Sequence, residues 1–269
     1  MSRNGGTLSG RALVTGASSG IGAELARVLA EHAHDLVLTA RSQGKLESLA
    51  AELADRHGVR ADAVAVDLGD PAGPRRLEEA LRERALEIHV LVNNAGVGLH
   101  GPFGQNEAEA QLRLLQLNVV ALTHVTRLLL PAMLTRRYGR ILNVASTAAF
   151  VPGPFMAVYY ASKAYVLSLS VALENELAGT GVAVTTLCPG PTLTHFAEAA
   201  GVARTRLFRA GGVMEAREVA RAGYAGMQAG KSIVVPGLRN RLIAGSSSLA
   251  PRSVTARIAR ALQDPAHQA

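Results

Sequence analysis

A tyrosine and a lysine stand four residues apart in the segment Tyr159-Tyr160-Ala161-Ser162-Lys163. In a helix, side chains with this spacing project from the same face, so the phenol and the ammonium can lie together. A free phenol has a pKa of about 10 and is a poor base at neutral pH, but a neighbouring positive charge stabilises the phenolate and lowers that pKa. Tyr159 is therefore a candidate acid/base that gives a proton to a developing alkoxide or takes one from an alcohol.

Two simpler interpretations of this segment remain open. Tyr159 and Lys163 could be an ordinary pair on a surface helix, without a chemical role. Tyr160 is the rival acid/base because it is adjacent, but the residue four positions beyond it is Ala164. We predict that Tyr160 lies on another face of the same helix.

A glycine-rich turn, Thr15-Gly16-Ala17-Ser18-Ser19-Gly20-Ile21-Gly22, follows a short apolar run and precedes a helical pattern. Glycines let the backbone turn tightly and leave room for a pyrophosphate, and the helix N-terminus offers free N–H groups to an anion. The predicted phosphate-binding residues are Gly16, Ser18, Ser19, Gly20, Ile21 and Gly22. Turns of this kind also join a strand to a helix without binding a ligand.

The spacing of these glycines, G-x-x-x-G-x-G, resembles that of the short-chain dehydrogenase/reductase family. Other motifs match that family in order and spacing: Asn93-Asn94-Ala95-Gly96, Asn118, Ser146, Tyr159 with Lys163, and Pro189-Gly190. The resemblance covers about residues 13 to 194. It implies an oxidoreductase that moves a hydride between a nicotinamide cofactor and the carbonyl or alcohol carbon of a small molecule.

The resemblance also implies a catalytic set of Asn118, Ser146, Tyr159 and Lys163. Ser146 would bind the carbonyl oxygen through a hydrogen bond that strengthens as charge develops. Lys163 would bind the nicotinamide ribose, and Asn118 would support a water on a proton path to solvent. Each also has a structural explanation, since Ser146 could cap a loop and Asn118 could mark a kink or polar contact in its helix.

The end of the second predicted strand bears on the choice of cofactor. A protein that selects NAD usually places an acidic residue there for the ribose 2′-hydroxyl, whereas this chain has Ala40 followed by Arg41 and Ser42. A guanidinium suits a 2′-phosphate, so we predict NADP(H). Alternatively, Arg41 only caps the strand-to-helix turn. The resemblance adds further cofactor contacts: Asp67, Leu68, Asn94, Ala95, Gly96, Pro189, Gly190, Thr192 and Thr194.

The elements that position these residues alternate between short apolar runs and helix-length amphipathic segments. Runs that are apolar throughout are typical of strands covered on both faces. The pattern predicts one Rossmann-like domain over residues 1–269, an α/β fold with a doubly wound parallel sheet of about seven strands and helices on both faces. The predicted strands are Ala12–Thr15, Asp35–Thr39, Ala63–Val66, Val90–Val92, Arg140–Val144, Val182–Leu187 and Ser232–Val235. The predicted helices are Ile21–His32, Lys45–His57, Pro74–Arg84, Glu107–Leu134, Ala157–Leu177 and Glu215–Ala229.

Two segments do not follow the alternation. We predict that residues 190–214 form a loop over the substrate, and that the tail at 237–269 packs at a contact in a homodimer or homotetramer. Apolar residues in the segments that would surround the substrate favour a lipophilic or aromatic ketone: Leu99, Phe103, Phe150, Phe155, Met156, Leu193, His195, Phe196, Leu207 and Phe208. Three arginines, Arg204, Arg206 and Arg209, could instead meet a carboxylate or a thioester carrier.

Composition excludes several other classes of protein. The net charge of +7 comes from scattered basic residues, and aromatic residues are only 4% of the chain, so nucleic-acid binding is not expected. The single cysteine excludes an intrachain disulfide, the histidines lack metal-ligand spacing, and the polar N-terminus indicates a cytoplasmic protein. The longest apolar stretch, Val119 to Leu134, contains Arg127 and Pro131, so no membrane span is predicted.

Two alternative functions remain open from the sequence. One is an NAD-dependent alcohol dehydrogenase that uses the same residues. The other is a nucleotide-sensing protein that has kept the fold without turnover, since the presence of catalytic residues is not activity.

Overall fold

A seven-stranded parallel sheet forms the centre of the computed structural model, which describes residues 10–203, 205–206, 212–247 and 250–264. Its strands are β1 (Ala12–Thr15), β2 (Leu36–Ala40), β3 (Ala61–Ala65), β4 (Val90–Asn93), β5 (Gly139–Val144), β6 (Val182–Leu187) and β9 (Ile233–Val234). Their order is β3-β2-β1-β4-β5-β6-β9. The strand order reverses between β1 and β4, and ligands of doubly wound sheets bind in the crevice at such a point.

Most of the described helices connect the parallel strands of the sheet, and the last two follow its final strand. The helices are α1 (Gly20–Glu31), α2 (Gln43–His57), α3 (Gly73–Glu83), α4 (Ala108–Leu115), α5 (Leu122–Thr135), α6 (Ala157–Glu176), α7 (Phe196–Ala199), α8 (Ala216–Gln228), α9 (Leu238–Ser247) and α10 (Arg252–Gln263). A second, two-stranded parallel sheet pairs β7 (Thr192–Leu193) with β8 (Met214–Glu215).

Apolar side chains cover both faces of the sheet. Helices α1, α2 and α8 pack on one face, where Leu25, Leu46 and Val219 belong to the same buried cluster as Val14. Helices α3 and α5 and the end of α6 pack on the other face, with Leu13. Consecutive residues of β1 point to opposite faces, as the strand period requires. The predicted α/β class and the doubly wound parallel sheet are therefore confirmed.

Three predicted elements differ from the structure. The helix predicted over Glu107–Leu134 consists of α4, a π-helical segment at Gln116–Ala121, and α5. The π-helical segment inserts an extra residue per turn, a feature that recurs at functional sites. The segment predicted to be a loop contains β7 and α7, and the tail folds as α9 and α10. The hydrophobic patterns of β7, α7, α9 and α10 are too short or too irregular for these elements to be predicted from sequence.

One helical stretch in the described part of the chain, Ala108–Thr135, is long and apolar enough to cross a membrane. Its 28 residues include Arg113 and Arg127. Its Val125 and Met133 are buried against the sheet beside Leu13. The α5 part of the stretch therefore covers the sheet, and length and composition alone do not imply a membrane span.

Candidate active site

The glycine turn after β1 is tightly packed. Gly16 has a φ of +66°, and a Cβ on it would lie 2.9 Å from the Ala95 Cα. A Cβ on Gly22 would lie 2.3 Å from the Gly16 carbonyl oxygen. Ser19 precedes α1 without a side-chain capping hydrogen bond, and the first turn of α1 has no acidic residue. The first N–H groups of α1 are thus open to an anion, which the helix dipole favours.

The residues that follow β4 hold the glycine turn in place through hydrogen bonds. The backbone N–H groups of Asn94 and Ala95 each donate to the Thr15 Oγ1 at 3.0 Å. The Asn94 Nδ2 donates to the Thr15 carbonyl oxygen at 3.0 Å. The structure therefore places Asn94 and Ala95 against the glycine turn. Sequence reasoning missed Thr15, although its position directly before Gly16 at the end of a strand was the available signal.

Arg41 follows the last residue of β2 and is exposed to solvent. Among the residues that the structure describes, its guanidinium makes no hydrogen bond or ion pair. Ser42 precedes α2 and forms no side-chain capping hydrogen bond. The alternative that Arg41 caps this turn thus has no contact to support it, and both side chains are available to an anion.

The turn after β3 holds the predicted Asp67 and Leu68. The Asp67 Oδ1 accepts a hydrogen bond from the Gly69 N–H at 2.8 Å, which fixes the turn. Leu68 is buried and borders a small pocket that Ala95 also lines. Leu68 therefore lies beside the crevice between β1 and β4, with Asp67 preceding it in the turn.

Three of the predicted catalytic side chains meet above the ends of β5 and β6. Tyr159 and Lys163 project from α6 and are buried, as the spacing predicted. The Ser146 hydroxyl lies close enough to the Tyr159 phenol to lower its pKa. The Lys163 Nζ donates to the Val144 carbonyl oxygen at 2.9 Å and lies 5.8 Å from the centre of the Tyr159 ring.

Asn118 lies in the π-helical segment and makes three hydrogen bonds. Its Oδ1 accepts from the Val97 N–H, and its Nδ2 donates to the Val97 carbonyl oxygen, both at 2.9 Å. Its Nδ2 also donates to the Ser162 Oγ at 3.1 Å. A Cβ on Gly96 would lie 3.2 Å from the Asn118 Oδ1 and 3.4 Å from the Lys163 Nζ. The Asn118 Oδ1 and the Lys163 Nζ therefore both border the space that a side chain at Gly96 would fill. Ser162 is a partner of Asn118 that the sequence did not reveal.

The electrostatics of the pair differ from the sequence-based prediction. Burial raises the pKa of the Tyr159 phenol, and the nearby Ser146 hydroxyl acts in the opposite direction. Burial also lowers the pKa of Lys163 to about 8. The predicted lowering of the phenol pKa by the lysine was wrong for the protein alone. The reason is that the phenolate would be buried, while the ammonium is directed to the Val144 carbonyl oxygen.

The loop after β6 returns to the glycine turn. The Pro189 carbonyl oxygen accepts from the Thr147 N–H at 2.8 Å and the Ser146 Oγ at 3.4 Å. The buried Thr192 donates its hydroxyl to the Gly190 carbonyl oxygen. A Cβ on Gly20 would lie 3.1 Å from the Thr194 Cγ2. The neighbouring Cys188 is buried, and burial raises the pKa of its thiol to about 12, so it is not an activated nucleophile.

A mainly apolar cleft lies beside the start of α6, where Ala157 and Val158 directly precede Tyr159 in the chain, and its lining includes the polar Asn106 and Gln111. Four of the residues predicted around the substrate line it: Leu99, Phe103, Phe155 and Met156. The Phe196 ring centre is 5.4 Å from that of Tyr159.

The other predicted substrate residues lie elsewhere. Phe150 packs against the buried Val166 and Cys188, while Leu193 and His195 are exposed. Leu207, Phe208, Arg204 and Arg209 lie outside the described residues, and Arg206 is exposed.

Residues 11–204 match the family model described as short chain dehydrogenase. The chain belongs to this family. Its residues can thus be compared with a short-chain dehydrogenase from Sphingobium yanoikuyae solved in complex with NADPH, which is 38% identical. The two structures superpose with a TM-score of 0.79 over 89% of this chain and 93% of the other.

Two further relatives indicate the kind of reaction. A bulky-bulky ketone specific alcohol dehydrogenase from Comamonas testosteroni is 32% identical, with a TM-score of 0.75 over 91% of this chain and 94% of that one. The ketoacyl reductase HetN of Nostoc sp. is 36% identical over 185 residues, which are 68% of this chain and 64% of that protein. This short-chain dehydrogenase is therefore an oxidoreductase that acts on CH–OH or C=O groups.

Proposed function

We propose that the protein is an NADP(H)-dependent ketoreductase that reduces a lipophilic or aromatic ketone or aldehyde to the alcohol, with Tyr159 as the proton donor. The observation that carries the proposal is the buried cluster in which the Ser146 hydroxyl lowers the pKa of the Tyr159 phenol, with Lys163 on the next turn of the same helix. The apolar cleft beside Tyr159 would receive the carbonyl compound.

The fit to a dinucleotide rests on the cradle that leads to this cluster. The pyrophosphate would lie on the glycine turn at the start of α1, where side chains at Gly16 and Gly22 have no room. Arg41 and Ser42 would bind the 2′-phosphate, and Asp67 and Leu68 would flank the adenine.

Further contacts would hold the nicotinamide half of the cofactor. Lys163 would bind the nicotinamide ribose, with Gly96, Pro189, Gly190, Thr192 and Thr194 around the ring. The bound cofactor supplies the hydride. The Sphingobium relative, solved with NADPH, supports this choice of dinucleotide.

The protein's own groups would handle the oxygen and the proton. Ser146 would hold the carbonyl oxygen, and Tyr159 would donate its proton as negative charge develops there. Because burial raises the pKa of Tyr159, the phenol is protonated at neutral pH, the state that reduction requires. The Lys163 ammonium would stabilise the phenolate left behind. Asn118, whose contacts fix the backbone beside Lys163, would support the path by which a proton from solvent returns to Tyr159.

The nature of the cleft supports a large apolar substrate. Its lining is mostly aromatic and aliphatic, with Asn106 and Gln111 as the polar members, and so favours burial of hydrocarbon surface over recognition of a free sugar. The Comamonas relative is described as specific for bulky-bulky ketones, which agrees with this inference.

Cofactor choice is tested by titrating the protein with NADPH and NADH and following nicotinamide fluorescence. We expect NADPH to bind more tightly, and Arg41→Ala to weaken NADPH by about tenfold or more without affecting NADH. Lys45→Ala is the matched control, since it removes another exposed cation from the start of α2. A preference for NADH would remove the NADP(H) assignment. Binding of neither would contradict both the reductase and the nucleotide-sensing alternative, whereas binding without turnover would favour the latter.

Turnover is tested by oxidation of NADPH in the presence of aryl ketones. Tyr159→Phe should lower kcat by about a hundredfold or more, because general acid catalysis contributes at least this much. Binding of NADPH by the variant should be retained. Equal rates for the two proteins would show that Tyr159 is not the proton donor.

A further inference from the structure

The last helix, α10, packs on the side of the molecule that holds the apolar cleft. The Gln263 Nε2 donates to the Tyr160 hydroxyl at 2.8 Å. The Gln263 carbonyl oxygen lies 2.8 Å from the His100 Nε2, so this ring nitrogen carries the proton. The Arg260 guanidinium lies 5.5 Å from the centre of the Phe155 ring. One helix thus contacts three separate segments around the cleft.

Tyr160 connects Gln263 to the loop that forms one wall of the cleft. A Cβ on Gly153 would lie 2.2 Å from the Tyr160 Cγ, so the tyrosine ring rests directly on the backbone of this loop. The loop ends at Phe155 and Met156, which line the cleft. Any change in the position of the Tyr160 ring must therefore be transmitted to the loop.

The conformation of Phe155 needs support from its surroundings. Its φ of +65° lies in the left-handed region, which residues with a Cβ rarely adopt. Such a conformation persists only where the neighbouring structure holds it. Arg260 lies over the ring, and the His100 ring centre is 6.1 Å from it. Both of these contacts depend on α10, directly for Arg260 and through Gln263 for His100.

Burial of the Gln263 side chain is unfavourable for the stability of the fold. Its side chain is 2% exposed, and its Oε1 is buried without a hydrogen-bond partner among the described residues. An unpaired buried amide oxygen is unfavourable, and an apolar side chain of similar size would avoid that penalty. A glutamine at this position is therefore explained by the contact it makes to Tyr160 rather than by stability.

We propose that Gln263 is a positioning residue that sets the size of the carbonyl compound accepted by the cleft. It acts through Tyr160 and the 151–156 loop and does not touch the reacting atoms. The size preference rests on the proposed function, while the positioning of the loop does not. In this proposal the C-terminal helix belongs to the substrate wall of its own subunit.

The first test compares reduction of propiophenone and benzophenone by wild type, Gln263→Leu, Tyr160→Phe and the double variant, at saturating NADPH. We expect the ratio of kcat/KM for the two ketones to change by about fivefold in each single variant, mostly through KM. The double variant should change it no further. Arg257→Ala, an exposed residue of the same helix, is the control. An unchanged ratio, or additive effects, would overturn the proposal.

The second test does not depend on turnover. Hydrogen–deuterium exchange should become faster at residues 151–160 in Gln263→Leu and stay unchanged at residues 15–22, the glycine turn after β1. Unchanged exchange at residues 151–160 would overturn the positioning role. If the wild-type protein reduces no aryl ketone, the proposed function fails, and the exchange result still decides whether Gln263 holds the loop.

Discussion

The Lys163 ammonium donates a hydrogen bond to the carbonyl oxygen of Val144, the residue that ends β5. This contact directs the charge to the edge of the sheet, 5.8 Å from the centre of the Tyr159 ring, so the lysine acts on the phenol through space. Burial without a carboxylate partner lowers the pKa of Lys163 to about 8. The buried site therefore disfavours the ammonium form of Lys163, which is the form that the proposed mechanism needs.

The first prediction concerns the pH dependence of reduction. The ammonium is present below its pKa and is lost as the pH rises through about 8, so kcat for ketone reduction should fall above that pH. Lys163→Met should abolish most activity at every pH.

Because Lys163→Met removes a buried cation, it should also raise the free energy of unfolding at pH 7 by about 1–3 kcal/mol. Urea denaturation measures this, and a less stable variant would contradict the argument.

The second prediction concerns Gly22. A Cβ there would meet the Gly16 carbonyl oxygen at 2.3 Å and the Asn94 Nδ2 at 2.4 Å, so Gly22→Ala must displace the turn. We expect a loss of about 1–3 kcal/mol in stability and at least about tenfold in NADPH affinity. Gly44→Ala is the matched control, since its Cβ meets nothing within 4 Å. The control should leave affinity unchanged and stabilise α2 slightly, and equal behaviour of the two variants would contradict the prediction.

The third prediction concerns stability in mild acid. His34 is fully buried, with its Nδ1 2.9 Å from the Gly10 carbonyl oxygen, and burial lowers its pKa. Above about pH 6.5 the imidazole is neutral in both folded and unfolded protein, and below it only the unfolded chain readily takes the proton. The free energy of unfolding should therefore fall between pH 7.5 and 5.5.

The measurement for His34 is urea denaturation at the two pH values. His34→Gln should show a smaller fall than wild type, whatever its stability at pH 7.5. The His89 imidazole contributes in the same direction, because burial lowers its pKa as well. A variant with the same pH dependence as wild type would rule out His34 as a source of the effect.

The fourth prediction concerns assembly as a homodimer or homotetramer. Leu112 on α4, Val120 on the π-helical segment and Tyr165 on α6 expose 59%, 46% and 39% of their surface. Exposed apolar side chains on adjoining helices are typical of a contact surface. Light scattering should give a mass above that of one chain, and the double variant Leu112→Glu/Val120→Glu should reduce it. If Leu238→Glu in the tail reduces it instead, the sequence-based expectation of a tail contact is the better one.

Motifs with a fixed spacing allowed much of the site to be predicted. Ser146, Tyr159 and Lys163 do meet, because the helical period and the end of β5 leave little freedom in their placement. Strands β1 and β6 have the predicted bounds, and the other strands of the sheet differ by one or two residues at their ends. Apolar runs bounded by turns fix a parallel sheet well, since both of its faces must be buried.

Other features depend on long-range contacts that have no local signal. The π-helical segment at Gln116–Ala121 has the same apolar character as the helices around it, so no change of pattern marks it. The pKa of Tyr159 depends on burial, which spacing does not give. The docking of Gln263 onto Tyr160 joins residues far apart in the chain. Each of these follows only from the packed structure.

The hydrogen bonds between Thr15 and the motif after β4 have a consequence for how the protein meets its dinucleotide. Thr15 Oγ1 already accepts from two backbone N–H groups, and Asn94 already bridges to the neighbouring carbonyl oxygen. The glycine turn is already ordered before the cofactor binds, so the affinity for the cofactor is not reduced by a cost of ordering this turn. Association of the cofactor should then be a simple one-step encounter, with the adaptable part of the molecule confined to the segments that receive the carbonyl compound.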